Sequence, residues 1–290
     1  MSSRFRSVAN GARRLMIRAG LDRLVAWFGE RAPRSRTLAK LRPDCAQYRR
    51  PTIRRARRDG LWFDLDLSDY MQWTVYYSVE KPVRARLYDL AVPGNVAIDV
   101  GANIGEVLLN FAQRVGPTGR AIGFEAHPET VRHCMSNLAL NAVENAEVHG
   151  VGLGKAEGKL AFGRQCASNS GADRFMAAGE GTIEVPVTTL DDFADRAALD
   201  AVDLIKIDVE GFEMNVLLGG ERTIDRFQPV MFIELCDDNL RAQGSSAAEL
   251  VGWLDRHGYT SKDAATDAPV AAGDELGGCF LDIICWHRSA

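Results

Sequence analysis

Short apolar segments alternate with segments of helical periodicity over most of this chain. From residue 96 onward, strand-like runs stand at 96–100, 121–125, 203–208 and 230–235, and each is followed by a helix-like segment. Strands that alternate with helices of roughly 10–15 residues build a mostly parallel sheet covered on both faces. The pattern predicts a doubly wound, Rossmann-like α/β fold whose last strand is the run at 279–286.

The remaining elements follow from the same periodicity. Helices are expected at 82–91, 104–114, 128–141, 190–197, 212–226 and 246–257, and further strands at 61–67, 147–151, 158–163 and 183–188, with a polar loop over 165–181. Residues 31–60 show weak periodicity and are expected to be irregular.

The charge of the chain is unevenly distributed. Residues 1–60 hold 17 Lys and Arg but 4 Asp and Glu, which leaves a net charge of −17 on residues 61–290. We therefore divide the chain into a basic N-terminal helical extension at 1–60 and one domain at 61–290. An acidic domain repels a phosphate backbone, so the charge disfavours a nucleic-acid partner.

The extension contains one predicted helix, at 12–29. Its apolar stripe runs along one face through Ile17, Leu21, Leu24, Val25 and Phe28, and several arginines accompany it. Two interpretations remain open from the residues alone. The stripe either lies on an anionic membrane surface or packs on the body of the protein, with the arginines facing the acidic domain.

Apolar runs and cysteine spacing indicate where in the cell the protein is expected. No apolar run approaches the roughly 20 residues of a membrane span. The first residues hold no uninterrupted apolar segment before a small-residue cleavage site, so we expect no secretory signal. The six cysteines show no C-x-x-C pairing, so they indicate reduced thiols rather than a disulfide framework or a zinc site. We expect a cytoplasmic protein, with peripheral attachment to the inner face of the membrane as the alternative.

The turn "AIDVGANIG" follows the first strand of the alternating pattern. Ligands of open parallel sheets bind outside the carboxyl ends of the strands, which is where Gly101, Asn103 and Gly105 stand. The two glycines would let a ligand approach the backbone, and Asn103 tolerates a left-handed conformation. The sequence therefore predicts a ligand site at this turn.

The spacing within the turn separates the ligands that could occupy it. Aligned on Gly101, the dinucleotide pattern G-x-G-x-x-G fails, because its later glycines fall on Asn103 and Glu106. Glu106 would also repel a pyrophosphate, whereas Asp99 suits the ammonium group of S-adenosylmethionine. Glu125 ends the second strand at a spacing typical of acids that bind ribose hydroxyls. That acid serves NAD or S-adenosylmethionine equally.

Several motifs together resemble a known family. The stretches "IDVGANIG", "GFEAHPETVRHCMSNLALN", "VPVTTLDDF" and "DLIKIDVEGFEMNVLLGG", with the later "FIEL", are similar to the FkbM family of S-adenosylmethionine-dependent methyltransferases. The resemblance covers about residues 76–260. It implies a seven-stranded methyltransferase sheet with an antiparallel last strand, a position that "CFLDIICW" fits.

The resemblance also implies site residues. The cofactor motif falls on Asp99, Gly101, Ala102, Asn103 and Gly105, the ribose-binding acid on Glu125, and residues lining the methionine end on Tyr77 and Glu80 of "YYSVEKP". Ala126 and His127 stand where the family commonly has Pro after the acid, which bears on the adenine pocket. His127 is a candidate contact for cofactor or acceptor, and His133 is expected to be structural.

Three carboxylates are the candidates for chemistry. Asp208 and Glu210 lie in "KIDVEG" at the end of one strand, and Glu234 ends the next. Their strands open onto the same edge as Asp99, so we expect the three to converge near the transferable methyl group. Asp208 is expected to contact the cofactor as well. One of them could act as base toward a hydroxyl.

Two alternatives compete with this assignment of a base. Several of the oxygens could hold a divalent cation, with Asp237 and Asp238 as extra ligands, although no residue is assigned as a metal ligand. In the purely structural alternative, Lys206 or Arg222 pairs with the acids and Gly211 begins a helix.

The function predicted from these features is methyl transfer to a hydroxyl of a sugar, a lipid-linked glycan or a secondary metabolite. Two motifs of nucleic-acid methyltransferases are missing. Enzymes that methylate exocyclic amines of bases usually carry a Pro-Pro turn where this chain has "IDVEG". Enzymes that methylate ring carbons use a Cys nucleophile, typically after Pro, and no Pro-Cys occurs in the chain. The alternatives are a small-molecule N-methyltransferase of the same fold and a non-catalytic module that binds a nucleoside cofactor. The acceptor pocket is expected among residues 61–80, 164–182 and 236–247.

Overall fold

The computed structural model describes residues 11, 13–31, 35–79, 82–163, 168–176, 179 and 182–289. They form two compact units. The first comprises the described residues among 1–81 and 166–171, and the second those among 82–165 and 172–290. The boundary predicted after Gly60 falls at the turn of a hairpin, since Arg58 and Leu61 are paired across it.

The first unit combines short helices with one hairpin. Its helices are α1 (Asp22–Arg31), α2 (Arg36–Leu41) and α3 (Tyr70–Tyr76), and its antiparallel strands are β1 (Ile53–Arg58) and β2 (Leu61–Asp66). The prediction that residues 31–60 are irregular is wrong at α2 and at β1. This strand buries only Ala56 and is held partly by charge pairs such as Arg55 with Asp64, so it carries no apolar alternation.

The predicted helix at 12–29 is interrupted. Residues 13–18 are helical, and α1 begins only at Asp22. Gly20 lies between them in the left-handed region, at φ 71°, and the Leu21 N–H donates to the Met16 carbonyl. This pattern ends a helix at glycine, so two helical segments replace one.

The second unit contains the alternating pattern. Its helices are α4 (Pro82–Asp89), α5 (Glu106–Val115), α6 (Pro128–Leu140), α7 (Leu190–Arg196), α8 (Glu213–Leu218), α9 (Glu221–Phe227), α10 (Asp237–Ala242) and α11 (Ala247–Arg256). Its strands are β3 (Val96–Val100), β4 (Arg120–Phe124), β5 (Ala146–His149), β6 (Gly152–Leu153), β7 (Gly158–Gly163), β8 (Arg174–Phe175), β9 (Thr182–Thr188), β10 (Leu204–Ile207), β11 (Val230–Cys236), β12 (Tyr259–Asp263), β13 (Pro269–Val270) and β14 (Phe280–His287).

The main sheet has the order β5-β4-β3-β10-β11-β14-β12-β13. Strands β5, β4, β3, β10 and β11 are parallel, and β14 runs antiparallel to β11, which confirms the predicted doubly wound sheet and its antiparallel last strand. The described sheet has eight strands rather than the seven expected, because the two-residue β13 pairs with the edge of β12.

Two of the strands predicted in the second unit lie outside the main sheet. β7 and β9 pair antiparallel with each other and build a second sheet of order β6-β9-β7-β8. The predicted helix at 212–226 is also divided, into α8 and α9. A Cβ on Gly219 would lie 2.0 Å from the Gly154 carbonyl oxygen, so this glycine lets the chain pass close to another backbone segment.

Candidate active site

One row of paired residues aligns the strand ends. Phe124 of β4, Val100 of β3, Ile207 of β10 and Ile233 of β11 are neighbours across the sheet. The next residue on each strand is Glu125, Gly101, Asp208 or Glu234, respectively. The register therefore brings the cofactor turn and the predicted catalytic acids to the same edge, as the sequence indicated.

The turn after β3 needs its glycines for conformation and packing. Gly101 has φ 82°, and a Cβ on it would lie 2.0 Å from the Asp208 carbonyl oxygen. Gly105 has φ 86°, and its Cβ would lie 2.7 Å from Cys134 Sγ. The sequence attributed these glycines to ligand access, but contacts within the protein already require them. The left-handed conformation of Asn103 is confirmed, at φ 47°.

Glu125 is held by the backbone of the turn. Its Oε2 accepts a hydrogen bond from the Asn103 N–H at 2.9 Å, and its Oε1 accepts one from the His127 N–H at 2.8 Å. Burial raises the pKa of Glu125 to about 7, although both N–H donors favour the charged form. The neighbouring Ala126 is buried, and His127 caps α6 through its Nδ1.

Asp99 and Lys206 form a buried ion pair beneath this edge. Lys206 Nζ lies 3.2 Å from Asp99 Oδ1 and 3.5 Å from Asp208 Oδ2, and it donates to the Gly101 carbonyl at 3.0 Å. Burial alone would lower the pKa of Lys206, but the charges of Asp208 and Asp99 outweigh it and raise that pKa. The structural alternative for Lys206 is thus confirmed.

The two other parts of that alternative have different outcomes. Arg222 contacts Asp191 and Asp195 instead of the acids at the strand edge. Gly211 precedes α8 but does not begin it; it has φ 100°, and a Cβ on it would lie 2.3 Å from the Asn239 carbonyl oxygen.

The partners of Asp99 affect its predicted role. This carboxylate, expected to meet an ammonium group of a ligand, already has the ammonium of Lys206 beside it. Burial raises the pKa of Asp99, and the charge of Lys206 opposes that rise. Among the described residues, no donor makes a hydrogen bond of good geometry to Asp99 Oδ2. Asp99 is fully buried, so it presents no surface to a ligand, and the ammonium group it contacts is that of Lys206.

Glu106 also has partners that the sequence did not reveal. The Arg84 guanidinium lies 2.7 Å from its Oε2, and the Tyr88 hydroxyl donates to its Oε1 at 2.8 Å. The charge that was expected to repel a phosphate is therefore balanced. The failed glycine spacing remains as the argument against a dinucleotide.

The three predicted catalytic carboxylates converge. Asp208, Glu210 and Glu234 each place one oxygen within 4.8 Å of the others. Burial raises the pKa of Glu234 to about 10, and Asp208 and Glu210 add to that rise through their charges. Burial raises the pKa of Glu210 to about 7, against one hydrogen bond from Asn239 Nδ2 at 2.8 Å. Crowded carboxylates of this kind share protons near neutral pH.

Comparison with known proteins identifies the family. Residues 99–261, more than half of the chain, match the family described as "Methyltransferase FkbM domain". The chain belongs to the FkbM family of S-adenosylmethionine-dependent methyltransferases.

Two curated relatives and one solved structure illustrate the similarity. The chain is 24% identical over 167 residues to the 2-O-methyltransferase NoeI of Sinorhizobium fredii, covering 52% of this chain and 67% of NoeI. It is 30% identical over 175 residues to Methyltransferase 1 of Beauveria bassiana, covering 52% and 70%. A crystal structure of Methyltransferase FkbM from Methylobacillus flagellatus shares 17% identity, covers 75% of this chain and 55% of that one, and has a TM-score of 0.44.

A further acid supports the strand-end turn of this FkbM methyltransferase. Glu213, almost fully buried, accepts hydrogen bonds from the Val209 and Gly211 N–H groups through Oε1. Burial raises its pKa to about 7. Glu213 was not predicted from the sequence. Acids are common in the first turn of a helix, and the residue pattern does not show that this side chain accepts hydrogen bonds from the preceding backbone.

A groove in the second unit is connected to the acid cluster through Arg174 and Asn239. It has a volume of about 280 Å³, and its lining includes Arg174, Phe175, Phe212 and Gln243. Arg174 Nη1 lies 3.4 Å from Asn239 Oδ1, and the same amide donates to Glu210. Two of the three segments predicted to line the acceptor pocket, 164–182 and 236–247, contribute to this groove.

The remaining predicted site residues are not among those that the structure describes at the sheet edge. Tyr77 is buried within the first unit, where its hydroxyl lies 2.6 Å from that of Tyr48. Glu80 lies outside the described residues. Asp237 accepts hydrogen bonds from the Ala247 and Gly278 N–H groups, which lower its pKa to about 2, and so it stabilises loops of its own unit.

Asp238 and His133 are the last two residues considered in the sequence. Asp238, the other extra ligand considered for a cation, is exposed at the start of α10. His133 lies within α6, where a structural role was expected.

Proposed function

We propose that this FkbM methyltransferase transfers the methyl group of S-adenosylmethionine to a hydroxyl oxygen of a sugar, a lipid-linked glycan or a secondary metabolite. The observation that carries the proposal is the convergence of Asp208, Glu210 and Glu234 at the sheet edge of the cofactor motif, where burial raises the pKa of Glu210 to about 7 and that of Glu234 to about 10. A hydroxyl must lose its proton when it is methylated, so a base of this kind suits it. The 2-O-methyltransferase NoeI is a relative of matching chemistry.

The residues of the turn fit the cofactor. Glu125 is aimed by two backbone N–H groups, and each of its oxygens keeps a lone pair for a ribose hydroxyl. Asp99 is fully buried and would act beneath the site, through its ion pair with Lys206, rather than touch the amino acid end. When bound, S-adenosylmethionine supplies an electrophilic methyl group.

Glu210 is the base in this proposal. With a pKa of about 7 it is partly ionised at neutral pH and accepts a proton well from an acceptor hydroxyl. Asn239 orients it by donating to Oε2. Glu234, with a pKa of about 10, stays protonated at neutral pH, so the cluster carries less negative charge than three free acids would.

The groove is the acceptor site in this proposal. Leu160 and Met176 supply exposed apolar surface, and Arg174 supplies donors for hydroxyl or acidic oxygens. Its hydrogen bond to Asn239 connects the groove to Glu210 through two side chains, so an acceptor held there would have to extend its hydroxyl past Asn239 to reach the carboxylate.

Three alternatives are separated by simple measurements. An amine that reacts as its free base needs no carboxylate in the transfer step, so N-methylation would survive Glu210→Gln. A binding module would release no S-adenosylhomocysteine with any acceptor. Divalent-cation catalysis through the three carboxylates would be abolished by EDTA and restored by added Mg²⁺.

The direct test is to incubate cell extracts with the protein and methyl-labelled cofactor and to analyse the products by mass spectrometry. We expect a labelled product that is heavier than its precursor by one methylene group and carries the label as a methyl ether. Release of labelled methyl only to nitrogen would overturn the assignment to hydroxyls. The absence of any labelled product, with cofactor binding intact, would favour the binding module.

A further inference from the structure

One face of helix α1 is buried within the first unit. Asp22, Val25 and Ala26 are buried on that face. Asp22 Oδ2 accepts a hydrogen bond from the Tyr48 hydroxyl at 3.3 Å and lies 3.4 Å from Arg54 Nε. A buried acid with two partners fixes the orientation of the helix, so its other side has a defined exposure.

The opposite face is apolar and exposed. Leu21, Leu24, Trp27 and Phe28 are between 47 and 53% exposed. Leu21, Leu24 and Phe28 have the spacing i, i+3, i+7 of a helical stripe, and Trp27 stands beside it, edge-to-face with Phe28. The stripe that the sequence predicted is thus split, because Val25 packs inward and the larger side chains do not. Adjoining large apolar side chains at a surface indicate a binding face.

Arginines border this apolar face. Arg23 and Arg31 are exposed on α1, and Arg14 and Arg18 are exposed on the preceding helical segment. The Arg31 guanidinium lies 3.7 Å from the centre of the Trp27 ring. Residues 1–31 hold seven Arg against two acidic residues, and one of those two, Asp22, is buried and paired. The charge of the face is therefore complementary to an anionic surface.

We propose that α1 docks on an anionic lipid surface. Leu21, Leu24, Trp27 and Phe28 enter the boundary between headgroups and acyl chains, and the neighbouring arginines contact the phosphates. In a symmetric dimer the same arginines would face one another, which disfavours a second copy as the partner. Aliphatic side chains gain little from a nucleic-acid backbone. No helix among the described residues is long and apolar enough to cross a membrane.

The test is co-sedimentation of the full chain with lipid vesicles. We expect binding to vesicles of equimolar phosphatidylcholine and phosphatidylserine, and none to phosphatidylcholine alone. The double variant Leu24→Glu with Phe28→Glu should bind at least about tenfold more weakly, because it puts charge at the apolar boundary. Arg23→Ala should weaken binding about fivefold, through the loss of one phosphate contact.

Phe280→Glu is the matched control. Phe280 is 71% exposed and belongs to the second unit, so this variant should bind vesicles as the wild type does. Circular dichroism and melting temperature establish that each variant is folded.

Three results would overturn the proposal. They are a wild type that stays in solution with both vesicle types, equal binding to both, or a double variant that binds like the wild type. A fourth assigns the face elsewhere: if the double variant converts a dimer to a monomer in light scattering and vesicle binding is absent, the partner is a second copy.

Discussion

Two sets of carboxylates at one sheet edge have different surroundings. Glu125 has a backbone N–H for each oxygen, at 2.9 and 2.8 Å. The cluster of Asp208, Glu210 and Glu234 is met by Asn239 and Lys206, while its members lie close to one another. Burial raises pKa values in both places. Backbone donors therefore fix an acid for binding, whereas mutual crowding leaves acids able to exchange protons.

The turn that orients Glu125 is the most sensitive part of this comparison. Gly101→Ala places a Cβ 2.0 Å from the Asp208 carbonyl at φ 82°, so it should abolish cofactor binding and destabilise the fold. Gly116→Ala is the matched control, because it also has a positive φ, 66°, but meets nothing within 4 Å. Its backbone, at φ 66° and ψ −173°, lies in a region that favours glycine, so the alanine should cost about 1–3 kcal/mol of strain. Thermal melts and calorimetric titration measure both, and equal losses would contradict the packing argument.

Glu210→Gln tests the chemical half of the comparison. With the base removed, kcat should fall about 10²–10⁴-fold. In the wild type, kcat/KM should rise with pH through about 7 as Glu210 loses its proton, and this limb should vanish from the variant. Glu184→Gln, at an exposed ion pair with Lys159, is the control. Wild-type turnover in Glu210→Gln would remove Glu210 from the mechanism.

Arg174→Met tests the link between groove and acids. Losing a charged donor to the acceptor should raise KM about tenfold while kcat changes little. Lys159→Met on the same sheet should leave both parameters unchanged. A fall in kcat alone would assign Arg174 to positioning Asn239 rather than to acceptor binding.

Glu234→Gln tests the raised pKa of the cluster through the pH dependence of the melting temperature. The folded pKa of about 10 exceeds the ordinary value of about 4.3, so the folded state binds this proton more tightly than the unfolded state does. Wild-type stability contributed by this group is present below about pH 4 and is lost as pH rises toward 10. The variant cannot ionise, so its melting temperature should exceed that of the wild type by a margin that grows by several degrees between pH 6 and 9. A constant margin would contradict the raised pKa.

Sequence patterns predicted the parts of the molecule that depend on periodicity and register. The main sheet, the edge shared by Asp99 and Glu234, and the left-handed Asn103 all follow from strand alternation and local residue preferences. Partners distant in sequence were not predictable in the same way. Arg84 beside Glu106 and Asn239 on Glu210 arise from packing between separate elements. The arginine-rich β1 escaped prediction because cross-strand charge pairs, not apolar alternation, hold it.

The central claim is that cofactor binding and proton transfer belong to different carboxylates on one edge. Calorimetric titration of S-adenosylmethionine into the wild type, Glu125→Gln and Glu210→Gln tests it most directly. In Glu125→Gln the new amide nitrogen must face a backbone N–H, either that of Asn103 or that of His127, so the affinity should fall at least about tenfold. Glu210→Gln should bind within about twofold of the wild type. Equal affinities for both variants, or a larger loss in Glu210→Gln, would contradict the division.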